Sequence, residues 1–208
     1  MQALAVRVAF WAPGWRVRGT TLAKVGGLEA ALAAMTAPLI YPFFMAEGWF
    51  TRTNLPRRLA AAGQGELRRL APFGTDPGLP DVVAAALRRG GGNEHATGGV
   101  LIAAHGGKLS KTSSETGYLM VEELARRGFG PLRAGFVEEP PFLEDVAREM
   151  GRGICLPFFA LRAGHVVQDV PEALAAAGFQ GVLLPPIGED QGVAPLIAAA
   201  LERAHQGG

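Results

Sequence analysis

Cysteine is all but missing from this chain, with Cys155 the only one in 208 residues. A lone thiol has no internal partner, which excludes a disulfide framework and points to a reducing compartment, the cytoplasm. Net charge is nearly absent as well, with 20 Lys and Arg facing 19 Asp and Glu. Nucleic-acid binders carry a basic excess or stripe, so a nucleic-acid partner is not expected. No apolar run reaches the roughly 20 residues that cross a bilayer, and the nearest candidate, residues 30–45, is interrupted by Pro38 and Pro42. The first residues lack a basic leading region and carry Arg7 in mid-run, unlike a secretory leader. Neither a membrane nor a targeting role is therefore expected. The 29 Gly and 15 Pro make about a fifth of the chain, short of the roughly 25–30% of low-complexity sequence. With 49% apolar residues, a chain of this length can bury a core in one or two domains.

What is present is a repeat. Pro42-Phe43-Phe44 is followed by Pro56 and by Leu59-Ala60-Ala61-Ala62-Gly63; Pro157-Phe158-Phe159 is followed by Pro171 and by Leu174-Ala175-Ala176-Ala177-Gly178, all at an offset of 115. Pro72-Phe73-Gly74-Thr75-Asp76 answers Pro186-Ile187-Gly188-Glu189-Asp190 at an offset of 114. A tandem duplication accounts for both anchors. It predicts an N-terminal lobe over 1–89, a glycine-rich linker over 90–98, and a C-terminal lobe over 99–208.

Each half alternates apolar runs with helical stretches. Val100–Ala104, Leu132–Val137, Ile154–Phe159 and Gly181–Leu184 predict four strands of the second half, with helices between and after them. Thr112-x-x-Glu115 has the spacing of a helix capping box. The first half reads as a shorter version, with strands near Leu4–Trp11, Leu39–Phe44 and Leu67–Ala71 and one strand–helix unit missing. Such alternation predicts an α/β fold of two lobes, each a parallel sheet with helices on both faces.

In open parallel sheets, ligands bind beyond the carboxyl ends of the strands. Three polar residues of the second half fall there. His105 follows the first strand, Glu138 ends the second, and His165 lies six residues past Phe159. Two imidazoles and a carboxylate at one edge suit a divalent transition metal, without selecting among iron, cobalt, nickel and zinc. Gly106-Gly107-Lys108 lacks the spacing of a nucleotide-binding P-loop, so no nucleotide is expected. Cys155 reads as a small core residue inside a strand.

Ala104-His105-Gly106-Gly107, Gly135-Phe136-Val137-Glu138-Glu139-Pro140, and Pro157-Phe158-Phe159 through Gly164-His165 to Asp169-Val170-Pro171 resemble the class II tetrapyrrole chelatases. The nearest likeness is to the sirohydrochlorin cobaltochelatases and ferrochelatases of cobalamin and siroheme synthesis. The motifs cover about Gly99 to Ala204 in the family's order. The resemblance implies two α/β lobes around a tetrapyrrole-binding cleft, and insertion of cobalt or ferrous iron without nucleotide hydrolysis. It implies His105 and His165 as active-site histidines and metal ligands, with Glu138 beside them. A polycarboxylate macrocycle calls for cations at the rim and aromatics on the floor. Lys108, Lys111 and Arg162 lie near the histidines, Arg16, Arg18 and Arg52 near the eroded motifs of the first half, and Trp49 and Phe50 suit the ring face. In that half Pro13-Gly14 and Gly48-Trp49-Phe50 stand where the two histidine motifs fall. A symmetric two-site enzyme is thereby excluded. The erosion also admits another class of function, a non-catalytic carrier of metal or tetrapyrrole derived from a chelatase.

Overall fold

The computed structural model describes residues 1–91, 98–107, 112–162 and 164–207. It opens on helix α1 (Gln2–Trp11) rather than the strand that the apolar run Leu4–Trp11 predicts. Periodicity alone does not separate a buried strand from a buried helix. Ala and Leu favour the helix, and Ala5, Val8 and Ala12 form one buried stripe along it. Helices α2 (Gly27–Ala33), α3 (Leu55–Ala61) and α4 (Leu79–Arg89) follow. Strands β1 (Val100–Ala104), β2 (Leu132–Phe136), β3 (Arg152–Pro157) and β4 (Gln180–Leu183) then alternate with helices α5 (Thr112–Arg126), α6 (Leu143–Met150), α7 (Val170–Ala176) and α8 (Val193–Gln206).

The residues group into two compact units, Met1–Asp76 with Gln191–Gly208, and Pro77–Asp190. Helix α4 thus belongs to the second unit and α8 to the first, although their order in the chain is the reverse. The acid of each Pro-x-Gly-x-Asp element holds an arginine of the helix in its own unit. Asp76, 3% exposed at its side chain, pairs with Arg203 of α8 at 3.0 Å, and Asp190 pairs with Arg89 of α4 at 2.5 Å. Tyr41 donates its hydroxyl to Asp76 at 3.1 Å. Burial, and the carboxylate next to it, push that phenol far above its ordinary range. Of the expected linker over 90–98, residues 92–97 lie outside the described residues.

Among the described residues the first unit has no sheet, which corrects the expectation of two sheet-bearing lobes. The strands expected at Leu39–Phe44 and Leu67–Ala71 reduce to one parallel bridge, Ile40 to Arg69. Ile40 donates to Arg68 and accepts from Leu70, at 3.0 and 2.8 Å. Pro42 and Pro72, each two or three residues further on, have no N–H with which to extend the ladder. Leu28, Leu32, Leu55 and Leu59 pack into the small core beneath this bridge, with Ile40 and Leu67 against them.

The second unit carries the expected parallel sheet, in the order β2-β1-β3-β4. Val100 pairs with Leu132 on one side and Ile154 on the other, and Arg152 pairs with Gln180. All five residues of central β1 are buried, as a continuous apolar run requires when both faces are covered. Leu101, Ala103 and Cys155 face α6 and α7, where Leu143, Val146, Ala147, Val170 and Leu174 complete the core. On the other face α5 passes so close that a Cβ on Gly117 would lie 3.6 Å from the Ala104 Cβ.

Cys155 is fully buried, and loss of solvent raises its thiol pKa far above the ordinary value. A thiol reagent at pH 8 should therefore leave the folded protein unlabelled and modify one thiol per chain in denaturant. Equal rates in both conditions would contradict this core position. Among the described residues, no helix is long and apolar enough to cross a membrane.

The two Pro-Phe-Phe segments lead into matching backbone. Five-residue π-helices at Phe50–Asn54 and His165–Asp169 run directly into α3 and α7. Short 3-10 turns at Phe73–Thr75 and Ile187–Glu189 follow, and in each the glycine N–H donates to the second phenylalanine carbonyl, Gly74 to Phe44 at 2.9 Å and Gly188 to Phe159 at 3.0 Å. The Ile40–Arg69 bridge falls at the same offsets as the Cys155–Leu183 pair of β3 and β4.

Candidate functional site

The ladder between β1 and β2 continues past the end of both strands. Val137 donates to Ala104 at 3.1 Å and Glu138 to His105 at 3.0 Å, so the two site residues sit side by side at the carboxyl edge. His105 Nδ1 lies 3.8 Å from Glu138 Oε2, the two side chains being 40% and 32% exposed. That separation is an ionic contact rather than a hydrogen bond. The hydrogen-bond partner of Nδ1 is nearer, the Gly106 carbonyl at 3.1 Å. A carbonyl only accepts, so this contact calls for the proton on Nδ1, which in a neutral ring leaves the lone pair on Nε2.

Gly106 turns the chain off the strand at φ +74°, and a Cβ there would meet Glu139 Cγ at 2.9 Å and Phe136 Cβ at 3.0 Å. Only glycine fits both the left-handed backbone and that space. Gly107 N–H donates to Glu139 Oε1 at 3.0 Å. Glu139 was not among the expected site residues. Strict alternation beyond β2 turns it away from Glu138, but the chain bends toward Pro140-Pro141 and brings it under the loop. A second carboxylate directly after Glu138 was the one sign of it in the sequence.

The expected residues divide as follows. His105 and Glu138 are brought together. The backbone at His165 begins the π-helix that follows β3 by eight residues, and its side chain lies outside the described residues. Lys108 and Lys111 also lie outside them. Arg162 is engaged elsewhere, donating from Nε and Nη2 to the Glu189 carboxylate at 3.0–3.2 Å. Among the described residues, no three His, Cys, Asp or Glu side chains gather to hold a metal. Trp49 and Phe50 belong to the first unit and are 56% and 51% exposed. Phe44 stacks on Phe50 with ring centres 5.7 Å apart and planes at 11°, and Trp49 packs edge-to-face with Phe50, ring centres 5.1 Å apart. Phe50 opens its π-helix as His165 opens the other, so a phenylalanine stands in the first helix at the backbone position that a histidine has in the second.

Charge is unevenly divided. The residues of the first unit include ten Lys and Arg against five Asp and Glu, a net +5; those of the second include ten against fourteen, a net −4. Arg16 and Arg18 are exposed and have no ion pair among the described residues. Arg52 is paired with Glu47 at 2.7 Å.

Residues 99–204, which span the whole sheet, match the sequence model of the CbiX family. A probable sirohydrochlorin cobaltochelatase of Halobacterium salinarum is 22% identical over 161 residues, 64% of this chain and 55% of that protein. The chain thus spans about half the length of this curated relative. The solved structure of CbiX, the terminal enzyme for siroheme biosynthesis in denitrifying bacteria, is 45% identical over 98% of this chain and 90% of its own, with a TM-score of 0.86. SirB from Bacillus subtilis, solved with Fe3+, shares the fold at a TM-score of 0.73 and 12% identity, over 97% of this chain and 88% of its own.

Proposed function

Since the chain belongs to the CbiX family, we propose that it inserts a divalent metal ion, cobalt or ferrous iron, into sirohydrochlorin or a related tetrapyrrole without nucleotide hydrolysis. The observation that carries this reading is the pairing of His105 and Glu138 at the carboxyl edge of the sheet, with Nδ1 of the imidazole 3.8 Å from the carboxylate. Metallation has to bind a cation and remove two pyrrole protons. With Nδ1–H engaged by Gly106, Nε2 of His105 is the atom that takes a metal ion or a pyrrole proton, and near neutral pH an imidazole can do either. Glu138 offsets the cation's charge. His165, at the start of its π-helix, supplies the second imidazole in this reading, and Lys108, Lys111 and Arg162 meet substrate carboxylates, Arg162 by exchanging Glu189 for them.

In this reading Trp49 and Phe50 meet the macrocycle. The exposed Trp49 and Phe50 rings, with half-buried Phe44 stacked on Phe50, suit an apolar π-face, and the net positive charge of the first unit suits a polycarboxylate. A tandem duplication whose first copy lost its histidines and most of its sheet, while keeping its aromatic and cationic surface, accounts for the matching π-helices and turns. The lone buried thiol accords with a cytoplasmic setting.

Anaerobic incubation of the purified protein with sirohydrochlorin and cobalt or ferrous iron tests the reading, with the tetrapyrrole absorbance as readout. Turnover above the protein-free rate, unaffected by added nucleotide, is expected; binding of either substrate with no acceleration would refute it. In the same assay Trp49→Ala should raise KM for the tetrapyrrole roughly 3- to 10-fold, the equivalent of one aromatic contact, with kcat little changed. An unaltered KM would remove Trp49 from the binding surface.

A further inference from the structure

Glu139 and His105 contact opposite ends of a single peptide group. The peptide between Gly106 and Gly107 offers its N–H to Glu139 Oε1 at 3.0 Å and its C=O to His105 Nδ1 at 3.1 Å. In a trans peptide those two groups point in opposite directions, so a carboxylate on one side fixes which group faces the imidazole on the other. We infer that Glu139 is a positioning residue that sets the tautomer of His105 through the Gly106–Gly107 peptide. This inference rests on the role given to His105 above.

Three features support the relay. The peptide has glycine on both sides, and Gly106 already sits at φ +74°, so little steric cost opposes its rotation by half a turn. Such a rotation would present an N–H to Nδ1, which can meet it only as an acceptor. The ring proton would then move to Nε2, and the lone pair needed for metal or proton would turn toward the backbone. A carboxylate accepting from the N–H excludes that orientation, because a carbonyl facing Glu139 would repel it. The carboxylate also polarises the peptide and makes its carbonyl a better acceptor for Nδ1–H. The result is the same as when a carboxylate bonds a histidine directly. Glu138, at 3.8 Å from Nδ1, is a competing partner for that atom. It is too distant to hold the proton while the Gly106 carbonyl is in place.

Nitrogen-15 NMR of the labelled protein at about pH 8, where an ordinary histidine is neutral, reads the tautomer without metal or substrate. Wild type should show His105 protonated at Nδ1, and its Gly107 amide should be protected from exchange. Glu139→Ala should shift the ring toward the Nε2–H form and lower kcat for metallation about 10- to 100-fold, as loss of a ligand-orienting contact does, with KM for the tetrapyrrole unchanged. Glu139→Gln keeps an acceptor oxygen and should restore the Nδ1–H form and bring kcat to within a few-fold of wild type. An unchanged tautomer in Glu139→Ala, or a glutamine variant as impaired as the alanine one, would overturn the relay. If Glu139→Ala does not fold, wild type still decides: a Gly107 amide exchanging as fast as an open-chain amide refutes it. A tautomer that responds to Glu139 in a protein without chelatase turnover would instead retain the relay and reject the enzymatic reading.

Discussion

Replacing His105 by alanine cuts kcat for metallation by about 10²- to 10⁴-fold, the range that a positioned proton-transfer group supplies, while the fold stays intact. The imidazole follows β1 instead of lying within it, and its side chain is 40% exposed, so truncation opens no cavity in the core. Beside the ring's contact with the Gly106 carbonyl, the loop is held by two bonds that the substitution leaves in place, the Glu138-to-His105 main-chain bond and the Gly107-to-Glu139 bond. Circular dichroism and the unfolding midpoint should therefore match wild type. Tetrapyrrole binding, followed by fluorescence quenching without metal, should survive because the aromatic surface belongs to other residues. The expected signature is intact binding with lost chemistry. Retention of more than about a tenth of the activity would remove His105 from the reaction and, with it, the assignment of the edge of β1 as the site.

The second large effect is on stability. Gly188→Ala should destabilise the protein by about 3 kcal/mol or more, since forced overpacking reaches and occasionally exceeds that figure. The added Cβ would stand 1.8 Å from the Ala160 carbonyl oxygen and 2.4 Å from its carbon. Both are backbone atoms, so no side-chain rotation relieves the clash. Either the 3-10 turn moves, losing the Gly188-to-Phe159 hydrogen bond, or the segment after β3 moves and carries the start of the His165 helix with it. The melting temperature should fall by roughly 6–12 °C at this chain length, and activity should fall in the second case. Gly74→Ala makes the parallel test in the first unit, where the new Cβ would lie 1.7 Å from the Met45 carbonyl oxygen. A comparable loss is expected. Urea unfolding of both variants measures it, and a change under about 0.5 kcal/mol at either position would mean that the turn relaxes freely.

The sheet of the second half was legible in the sequence. A short continuous apolar run such as Val100–Ala104, closed by glycines, satisfies a buried parallel strand, and β1 to β4 fall within two residues of where the runs place them. The positions of His105 and Glu138 at strand ends were legible for the same reason, because a strand's end fixes where the next residue emerges. The local turns of the Pro-Phe-Phe and Pro-x-Gly elements were legible too, since the same residues at the same spacing close the same short-range hydrogen bonds, Gly74 to Phe44 and Gly188 to Phe159. Phe50 could be aligned with His165 by counting alone.

Tertiary structure decided the rest. Apolar residues 4–11 suit a strand or a helix equally, and the stripe buried along α1 settled the choice through packing that lies far away in sequence. The same distance separates Asp76 from Arg203, whose pairing draws α8 into the first unit while Arg89 and Asp190 keep α4 in the second. Periodicity describes which face of an element is apolar, but not which partner covers it. Glu139 lay in plain view beside Glu138, yet its bond to Gly107 depends on where the chain bends after β2 and on the left-handed turn at Gly106. Sequence by itself determined the elements whose hydrogen bonds and burial are local or strictly periodic. The pairing of acids with distant arginines, the exchange of the two terminal helices, and the carboxylate under the histidine loop exist only once the chain is folded, because each depends on groups that no sequence spacing brings together.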